Sequence, residues 1–268
     1  MMRVDGRTAD SLDLRDRGLA YGDGVFRTVR MAVGRPLWWS DHAARLAADC
    51  AALGLACPDA DLLHADACAV AGDADCIVKL ILTRGVGARG YAPADGPVTR
   101  IAMAAPLPPH AQPGVPTEVR ARLCALRLGR QPRLAGIKHL NRLENVLARA
   151  EWQDPGIFEG LLCDEAGWLV GGTMSNLFWL AQGVLCTPEL DQCGVAGVAR
   201  ARLLRAADRL GIPLRLGRWP AEALAAADEV LICNSVMGVR RVAALDGAAL
   251  PQAGWRAHLD EALHETPD

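Results

Sequence analysis

The sequence predicts an α/β protein of two domains, with helices and mixed or antiparallel sheets in place of regular βαβ repeats. Three observations support this prediction. Short apolar runs separated by turns are typical of strands, apolar residues at helical spacing recur between those runs, and a proline-rich segment interrupts the chain near its middle. The 268 residues are enough for one large or two small domains.

We expect an N-terminal α+β domain over residues 1–105, a linker over residues 106–117 and a C-terminal α/β domain over residues 118–268. The linker contains PLPPHAQPGVP, whose five prolines disfavour both a helix and a central strand. In the first domain, Ser40 is predicted to cap a helix that runs through residues 42–46. The run CIVKLILT at 76–83 is predicted as a buried strand before a glycine-rich loop, and residues 101–105 as another strand.

The second domain is predicted to alternate strands and helices. Residues 118–126 alternate as a strand does, and apolar residues after Lys138 predict a helix that begins just beyond it. FEGLLCD, WLV, NLFWLA and VLCTP predict an antiparallel meander, GVARARLLRAADRLG and PAEALAAAD predict helices, and DEVLICN predicts a strand. The residues of the predicted stripe after Lys138 are Leu140, Leu143, Val146, Leu147 and Ala150.

Composition excludes several classes of function. A net charge of -2 gives no electrostatic reason to expect nucleic acid or an anionic membrane as a partner. There is no run of about eighteen apolar residues, and the polar start lacks the apolar core of a signal peptide. Nine cysteines without a CxxC pair predict neither a disulfide framework nor a structural zinc site, and no second ligand accompanies His42 in a metal set. We therefore expect a cytoplasmic protein with reduced thiols and no metal.

Lysine usage is the most informative feature of the composition. Of the 29 basic residues only Lys79 and Lys138 are lysines. An ε-amine can form a Schiff base and can lose its proton when desolvated, whereas a guanidinium can do neither. The alternative is that either lysine is an ordinary surface residue. The count narrows the candidates for amine chemistry to two, of which Lys79 lies inside an apolar strand.

Four polar or glycine-rich segments are further candidates, each with a purely structural alternative. GVAGVAR at 194–200 opens a helix with two glycines, which favours a phosphate but also occurs for backbone reasons. GGTMSN at 171–176 and CNS at 233–235 place hydroxyls at strand ends, where they bind phosphate oxygens or merely satisfy turns. RGVGARGY at 84–91 offers two arginines to a carboxylate, or is a solvated loop.

Taken in order, six segments of the chain resemble the motifs of the class-IV aminotransferase family, the fold-type IV pyridoxal-phosphate enzymes. They are RGLAYGDGVFRT, HAARL, IKHLNRLENVLARAEW, GGTMSNLFW, TPELDQCGVAGVARARLL and ADEVLICNSVMGVRRV. The resemblance implies a two-domain fold like that of D-amino-acid aminotransferase. KHLNRLENVL, RGVGARGYAP and DEVLICNSVMGV are most similar to the aminodeoxychorismate lyase branch.

The resemblance implies a cofactor, a set of residue roles and an assembly. Pyridoxal 5'-phosphate would be held as a Schiff base by Lys138, which would then move protons, with Thr28 as a second catalytic residue. The cofactor would also be bound by Arg45, Gly171, Thr173, Asn176, Val198, Ala199 and Ser235. A small-molecule substrate would be bound by Arg89, Tyr91 and Asn234. Because the loop with Arg89 often serves the partner subunit in this family, a homodimer is expected.

One position departs from the family pattern. The family has a glutamate five residues before the asparagine of GGTMSN, where it pairs with the protonated pyridine nitrogen and strengthens the electron sink. This chain has Gly171 there, and the nearest acids, Asp164 and Glu165, fall in the preceding turn. Loss of the opposite charge should lower the pKa of the ring nitrogen. There are two alternatives to a lyase: a class-IV aminotransferase of the D-amino-acid or branched-chain type and, because Gly171 replaces the glutamate, a weakly catalytic cofactor-binding protein.

Overall fold

The computed structural model describes residues 1–93 and 96–266, which form two compact units. Of the described residues, unit 1 comprises those of Met1–Gln112 together with Ile137–Asn141, and unit 2 comprises Pro113–Gly136 and residues 142–266. The sequence-based boundaries place Lys138 in the second domain, whereas the structure groups it with unit 1. The reason is backbone pairing, because Phe26 N donates to Lys138 O and Leu140 N donates to Gly24 O, both at 3.0 Å.

Unit 1 is built on a six-stranded antiparallel sheet in the order β2-β1-β6-β5-β3-β4. Its strands are β1 (Met2–Val4), β2 (Arg7–Thr8), β3 (Gly24–Ala32), β4 (Arg35–Pro36), β5 (Cys76–Thr83) and β6 (Thr99–Pro106). Its helices are α1 (Arg17–Tyr21), α2 (Trp39–Leu53) and α3 (Ala60–Ala71). The predicted strand at 76–83 is confirmed, and the one at 101–105 is longer by a few residues.

Helix α2 places its apolar face against the sheet of unit 1. Leu46 and Cys50 on the helix pack with Val25 of β3 and Leu82 of β5, all almost fully buried. Complete burial of a leucine side chain contributes about 1.5–3 kcal/mol. The predicted cap at Ser40 is wrong. The helix begins at Trp39, after Trp38 with a φ of 55°, so Ser40 already lies inside the first turn.

The proline-rich segment contains no long element. Strand β6 ends at Pro106, and a single 3₁₀ turn occupies Pro109–Ala111 before β7 begins. This agrees with the expectation that its prolines exclude a regular helix or a central strand.

Unit 2 contains a nine-stranded mixed sheet in the order β12-β11-β10-β13-β14-β7-β8-β9, with β15 paired to β14. Its strands are β7 (Glu118–Leu128), β8 (Glu159–Asp164), β9 (Leu169–Gly172), β10 (Asn176–Ala181), β11 (Val184–Pro188), β12 (Leu214–Gly217), β13 (Glu229–Asn234), β14 (Gly238–Leu245) and β15 (Ala248–Ala249). Its helices are α4 (Leu143–Arg149), α5 (Val198–Arg209) and α6 (Trp255–Glu265), with a 3₁₀ helix over Ala221–Ala226. The α/β class with mixed and antiparallel sheets is confirmed.

The predicted meander is only partly correct. Strands β8 and β9 form one antiparallel hairpin, and β10 and β11 form another. Strand β10 does not pair with β9 but with β13, over five residue pairs from Asn176 to Leu180. Apolar runs predict strands but not their order, because each run is compatible with any neighbour that buries it.

Helix α4 begins later than predicted, and its apolar stripe is exposed. It begins at Leu143 rather than directly after Lys138, because residues 138–140 are held by backbone hydrogen bonds to β3. Its apolar stripe also faces solvent in this chain. The exposed fractions of Leu143, Val146 and Leu147 are 75%, 60% and 60%.

None of the helices in the described parts of the chain is long and apolar enough to cross a membrane. The same residues contain no group of three or more metal-ligating side chains.

Candidate active site

The peptide of Lys138 is anchored by a buried carboxylate. Lys138 N donates to Asp49 Oδ2 at 3.1 Å, and Asp49 is only 1% exposed. The same carboxylate oxygen accepts a hydrogen bond from Arg27 Nη2, and Asp49 Oδ1 lies 3.3 Å from Arg45 Nε, one helical turn earlier on α2. One carboxylate therefore joins the lysine segment, strand β3 and helix α2.

The two arginines of this cluster have different environments. The side chain of Arg27 is 3% exposed, and burial lowers the pKa of its guanidinium to about 10 although Asp49 acts in the opposite direction. The side chain of Arg45 is 32% exposed. A guanidinium that is partly open to solvent and oriented on a helix suits an anion, which agrees with the phosphate role implied for Arg45.

Both lysines of the chain lie against the ring of Phe26. The Lys138 ammonium is 4.6 Å from the ring centroid and the Lys79 ammonium is 4.7 Å from it, distances typical of cation–π contacts. Thr28 lies two residues further along β3, hence on the same face, and is the register partner of Lys79. The structure thus brings the two predicted catalytic residues, Lys138 and Thr28, to one face of the sheet in unit 1.

The loop at 84–91 is anchored by hydrogen bonds near both of its ends, and several of its side chains are exposed to solvent. Arg84 donates to Asp23 Oδ2 at 2.8 Å, and Arg17 donates both to Asp23 and to Gly90 O. Tyr91 is 89% exposed and its ring lies 5.6 Å from that of Tyr21. The predicted substrate residues Arg89 and Tyr91 are therefore presented on the surface of unit 1 by a firmly held loop.

In unit 2 the turn at 173–175 is organised by a second buried carboxylate, that of Glu159, which sequence reasoning missed. Glu159 Oε1 accepts from Gly160 N, Thr173 N and Thr173 Oγ1 at 2.6–2.9 Å. Oε2 accepts from Ser175 Oγ at 2.7 Å and Met174 N at 3.3 Å. Glu159 is fully buried, and burial raises the pKa of its carboxyl group despite these donors. An acid within the apolar run FEGLLCD is the signal that could have found it.

The two glycines of β9 explain how Glu159 reaches this turn. A Cβ on Gly172 would lie 2.6 Å from the Glu159 carboxyl carbon and 2.4 Å from Ser175 Oγ. Successive side chains alternate across a strand, so a side chain at position 171 would project from the other face. Glu159 therefore does not replace the glutamate that the family has at position 171, and its oxygens are already occupied by five hydrogen bonds.

The same turn is held from two other elements. Asn145 of α4 donates to Thr173 O at 2.9 Å, and Asn234 at the end of β13 donates to Met174 O at 3.2 Å. The predicted residue Asn234 thus contacts Met174, the chain neighbour of the predicted residue Thr173. Ser235, the next predicted residue, is half-buried in the turn after β13.

Asn176 connects β10 to the start of helix α5. Its amide donates to Val195 O at 2.7 Å, and its oxygen accepts from Gly197 N at 3.1 Å. Gly197 is the N-cap and has no side chain, and the first turn of α5 contains no acid. Val198 and Ala199 are the first two residues of this helix and are buried, so their N–H groups belong to the positive end of its dipole.

Comparison with known proteins identifies the family. The amino-transferase class IV family matches residues 24–245. The chain belongs to the class-IV aminotransferase family.

Among similar proteins, aminodeoxychorismate lyase of Vibrio harveyi is 34% identical over 248 residues, covering 91% of each chain. The crystal structure of 4-amino-4-deoxychorismate lyase from Pseudomonas aeruginosa superposes with a TM-score of 0.92 at 44% identity and covers 99% of this chain and 98% of that one. A putative branched-chain-amino-acid aminotransferase of Methanocaldococcus jannaschii is 29% identical, covering 92% of this chain and 88% of the relative. The family resemblance of the six motifs is therefore confirmed.

Proposed function

We propose that this chain is a pyridoxal-phosphate-dependent lyase that converts 4-amino-4-deoxychorismate to p-aminobenzoate and pyruvate for folate biosynthesis. The similarity to the Pseudomonas aeruginosa lyase, at 44% identity over almost the whole chain, is the main support. The aminotransferase relative is less similar, at 29% identity.

The donor groups in each unit fit pyridoxal phosphate. Unit 1 offers the primary amine of Lys138, the Thr28 hydroxyl and the partly exposed guanidinium of Arg45. Unit 2 offers the N-terminus of α5 at Val198 and Ala199, and we propose that these N–H groups and the Ser235 hydroxyl bind phosphate oxygens. When bound, the cofactor supplies an aldehyde that condenses with amines and a ring that accepts the electron pair released beside the amine.

Lys138 has two proposed roles. Its amine would hold the cofactor and, once displaced by the amine of the substrate, would take the proton from the carbon that carries the substrate nitrogen. The adjacent carbon–oxygen bond would then break, so that the enolpyruvyl group leaves and is protonated to pyruvate. The remaining ring becomes aromatic, and no water or other reactant is consumed. Thr28, on the same face of β3, would orient groups at that carbon.

Gly171 has a chemical consequence in this proposal. Without an acid at this position, the pyridine ring of the cofactor would hold the proton on its nitrogen less tightly and would accept electrons less strongly. Elimination is assisted by aromatisation of the product, whereas transamination has no such assistance. We propose that Gly171 therefore favours the lyase reaction over transamination.

The test of the activity is a measurement of both products. Purified protein with aminodeoxychorismate should release pyruvate and p-aminobenzoate in a ratio of one to one, and D-alanine or branched-chain amino acids should give little new keto acid. Transamination without pyruvate release from aminodeoxychorismate would favour the aminotransferase alternative. A bound cofactor without either activity would favour the weakly catalytic alternative.

The test of the cofactor uses the scarcity of lysine. Borohydride reduction of the protein with pyridoxal phosphate should fix the cofactor to a single peptide. Because the chain has only two lysines, mass spectrometry of a digest distinguishes modification of Lys138 from that of Lys79. Modification at Lys79 alone would contradict the assignment.

We also propose a homodimer. Its support is the stripe of Leu143, Val146 and Leu147 on α4, three exposed apolar side chains on one helical face, together with the family resemblance. A second copy of the chain would cover this stripe, and Arg89 and Tyr91 would serve the substrate of the partner subunit. Sedimentation should give twice the mass of the chain, and Leu147→Glu should shift the protein towards the monomer, whereas Leu210→Glu, at an exposed leucine after α5, should not.

A cytoplasmic location is part of the proposal. The nine cysteines are all free, and burial raises the pKa of several of them, with Cys233 reaching about 12. Free thiols suit a reducing compartment.

A further inference from the structure

We infer that Asp49 is a positioning residue for the cofactor. Its single buried carboxylate fixes both the arginine proposed to bind the phosphate and the peptide of the lysine proposed to bind the aldehyde. The inference rests on the proposed function, since it concerns how that site is held in place.

Three contacts support this role. Asp49 Oδ1 is 3.3 Å from Arg45 Nε, and because the two residues are four apart on α2 the carboxylate lies directly beside the arginine stem. Asp49 Oδ2 accepts from Lys138 N at 3.1 Å. The third contact, from the buried guanidinium of Arg27, provides the positive charge that a carboxylate with 1% exposure requires.

The geometry links two segments that are distant in sequence. Residues 45 and 49 lie on α2, whereas Lys138 reaches unit 1 only through residues 137–141, beside β3. The Asp49 carboxylate ties the lysine peptide to the helix that carries Arg45. Movement of this side chain would therefore alter the phosphate-binding and amine groups together.

Charge and geometry predict opposite results when the carboxylate is neutralised. Asp49→Asn removes a negative charge 3.3 Å from Arg45, and by charge alone this change should strengthen the binding of a dianionic phosphate. An amide has one acceptor oxygen and cannot serve Arg45, Arg27 and the Lys138 N–H as a carboxylate does. A positioning role therefore predicts weaker binding, in spite of the favourable change in charge.

The experiment is a titration of cofactor-free protein with pyridoxal phosphate, followed by absorbance, with unfolding midpoints measured in parallel. Asp49→Asn should raise the dissociation constant at least tenfold and slow the appearance of the Lys138-dependent absorption band. Asp66→Asn is the matched control. Asp66 is also a buried aspartate of unit 1 paired with an arginine, Arg100, at 3.0 Å, and this change should lower the unfolding midpoint while leaving the dissociation constant within twofold.

A double variant separates positioning from simple neutralisation of Arg27. Asp49→Asn leaves a buried guanidinium without its carboxylate, whereas Arg27→Met combined with Asp49→Asn removes both charges of that pair. If Asp49 serves only to neutralise Arg27, the double variant should recover both stability and wild-type affinity. If Asp49 positions Arg45 and Lys138, it should recover stability while its affinity remains at least tenfold weaker.

The outcomes are distinguishable from failure of the proposed function. Wild-type affinity in the double variant, or tighter binding in Asp49→Asn, would overturn the positioning role and leave the lyase proposal intact. A wild-type chain that binds no pyridoxal phosphate would overturn the proposed function and this inference together.

Discussion

The two units of the molecule each bury a carboxylate next to predicted site residues, but they stabilise it by different means. Asp49 in unit 1 faces the guanidinium groups of Arg27 and Arg45. Glu159 in unit 2 has no cation among its five donors, which are three backbone N–H groups and the hydroxyls of Thr173 and Ser175. One carboxylate is held by charge, the other by oriented dipoles.

The difference affects what each carboxylate can hold. Arginine side chains are long, and those that reach Asp49 come from β3 and α2. Together with the bond from the lysine segment, they let Asp49 join a helix, a strand and that segment. Backbone N–H groups are local, so Glu159 fixes one tight turn in detail. The pKa shifts of Asp23 in unit 1 and of Glu159 in unit 2 also have opposite directions. Hydrogen bonds from Arg84 and Arg17 hold the pKa of Asp23 below its usual value against the effect of burial, whereas burial dominates at Glu159 and raises its pKa.

The largest effect is expected at Lys138, whose backbone N–H donates to the Asp49 carboxylate. Lys138→Arg keeps the positive charge over Phe26 but removes the ability to form a Schiff base. Lyase activity should fall at least about 10³-fold through loss of the covalent link and of the general base, while the unfolding midpoint stays close to that of the wild type. Product assays and calorimetry check this. Activity within tenfold of the wild type would show that the charge of Lys138, not its nucleophilic amine, is what matters.

The second-largest effect is expected at Glu159, the carboxylate that accepts hydrogen bonds from backbone N–H groups and hydroxyls. Glu159→Leu leaves the N–H groups of residues 160, 173 and 174 with a missing acceptor in a buried turn. The loss should be of the order of 3 kcal/mol in the free energy of unfolding, since each unsatisfied buried group costs about 1–3 kcal/mol. Urea unfolding measures it. Glu159→Gln, which retains one acceptor oxygen, should lose less than Glu159→Leu, and equal losses would mean that packing rather than hydrogen bonding holds the turn.

A smaller effect should follow from crowding the same carboxylate. A methyl group on Gly172 would lie 2.4 Å from Ser175 Oγ, so Gly172→Ala should cost about 1–3 kcal/mol of stability. Gly129→Ala, also in unit 2, is the control because its nearest neighbour, Glu144 Oε1, is at 3.5 Å. Chemical unfolding of the pair should separate them, and a loss in both variants alike would point to a general effect of replacing glycine.

The smallest effects concern pH, and their signs should be opposite in the two units. The pKa of Asp23 is lowered in the folded protein. Its contribution to stability is therefore present above pH 3.8, the ordinary pKa, and is lost as the pH falls through the pKa of the folded state. The pKa of Glu159 is raised in the folded protein. Its contribution to stability is therefore present below pH 4.5, the ordinary pKa, and is lost as the pH rises through the pKa of the folded state. Relative to Asp23→Asn the wild type should therefore lose stability in acid, and relative to Glu159→Gln it should lose stability as the pH rises. Unfolding curves from pH 3 upward test both signs.

The sequence was sufficient for elements whose patterns are local. The strand Cys76–Thr83 was predicted with its observed bounds, because an apolar run followed by a glycine-rich loop admits few other structures. The start of α4 was not, because hydrogen bonds from Phe26 N to Lys138 O and from Leu140 N to Gly24 O join this segment to residues more than a hundred positions away. The order of the strands in unit 2 was missed for the same reason.

The residues of the candidate site show the same difference between local sequence patterns and contacts that are distant in sequence. Lys138 and Arg45 were predicted from motifs, and the scarcity of lysine independently narrowed the candidates for amine chemistry to Lys79 and Lys138. Asp49 and Glu159 were not found, because a buried acid is recognised by what surrounds it in three dimensions. The spacing of four between Arg45 and Asp49 on a predicted helix was the one local sign available.

The arrangement of the two lysines around Phe26 has a practical consequence. Apart from the chain's N-terminus, every primary amine of the protein lies within 5 Å of the centroid of one aromatic ring. Reductive ¹³C-methylation would therefore introduce two side-chain NMR signals, and both would report on the same face of β3. Methylation makes Lys138 a tertiary amine that cannot condense with an aldehyde, so these signals would report on the non-covalent arrival of substrate or of a cofactor analogue at that face, without introducing a single mutation.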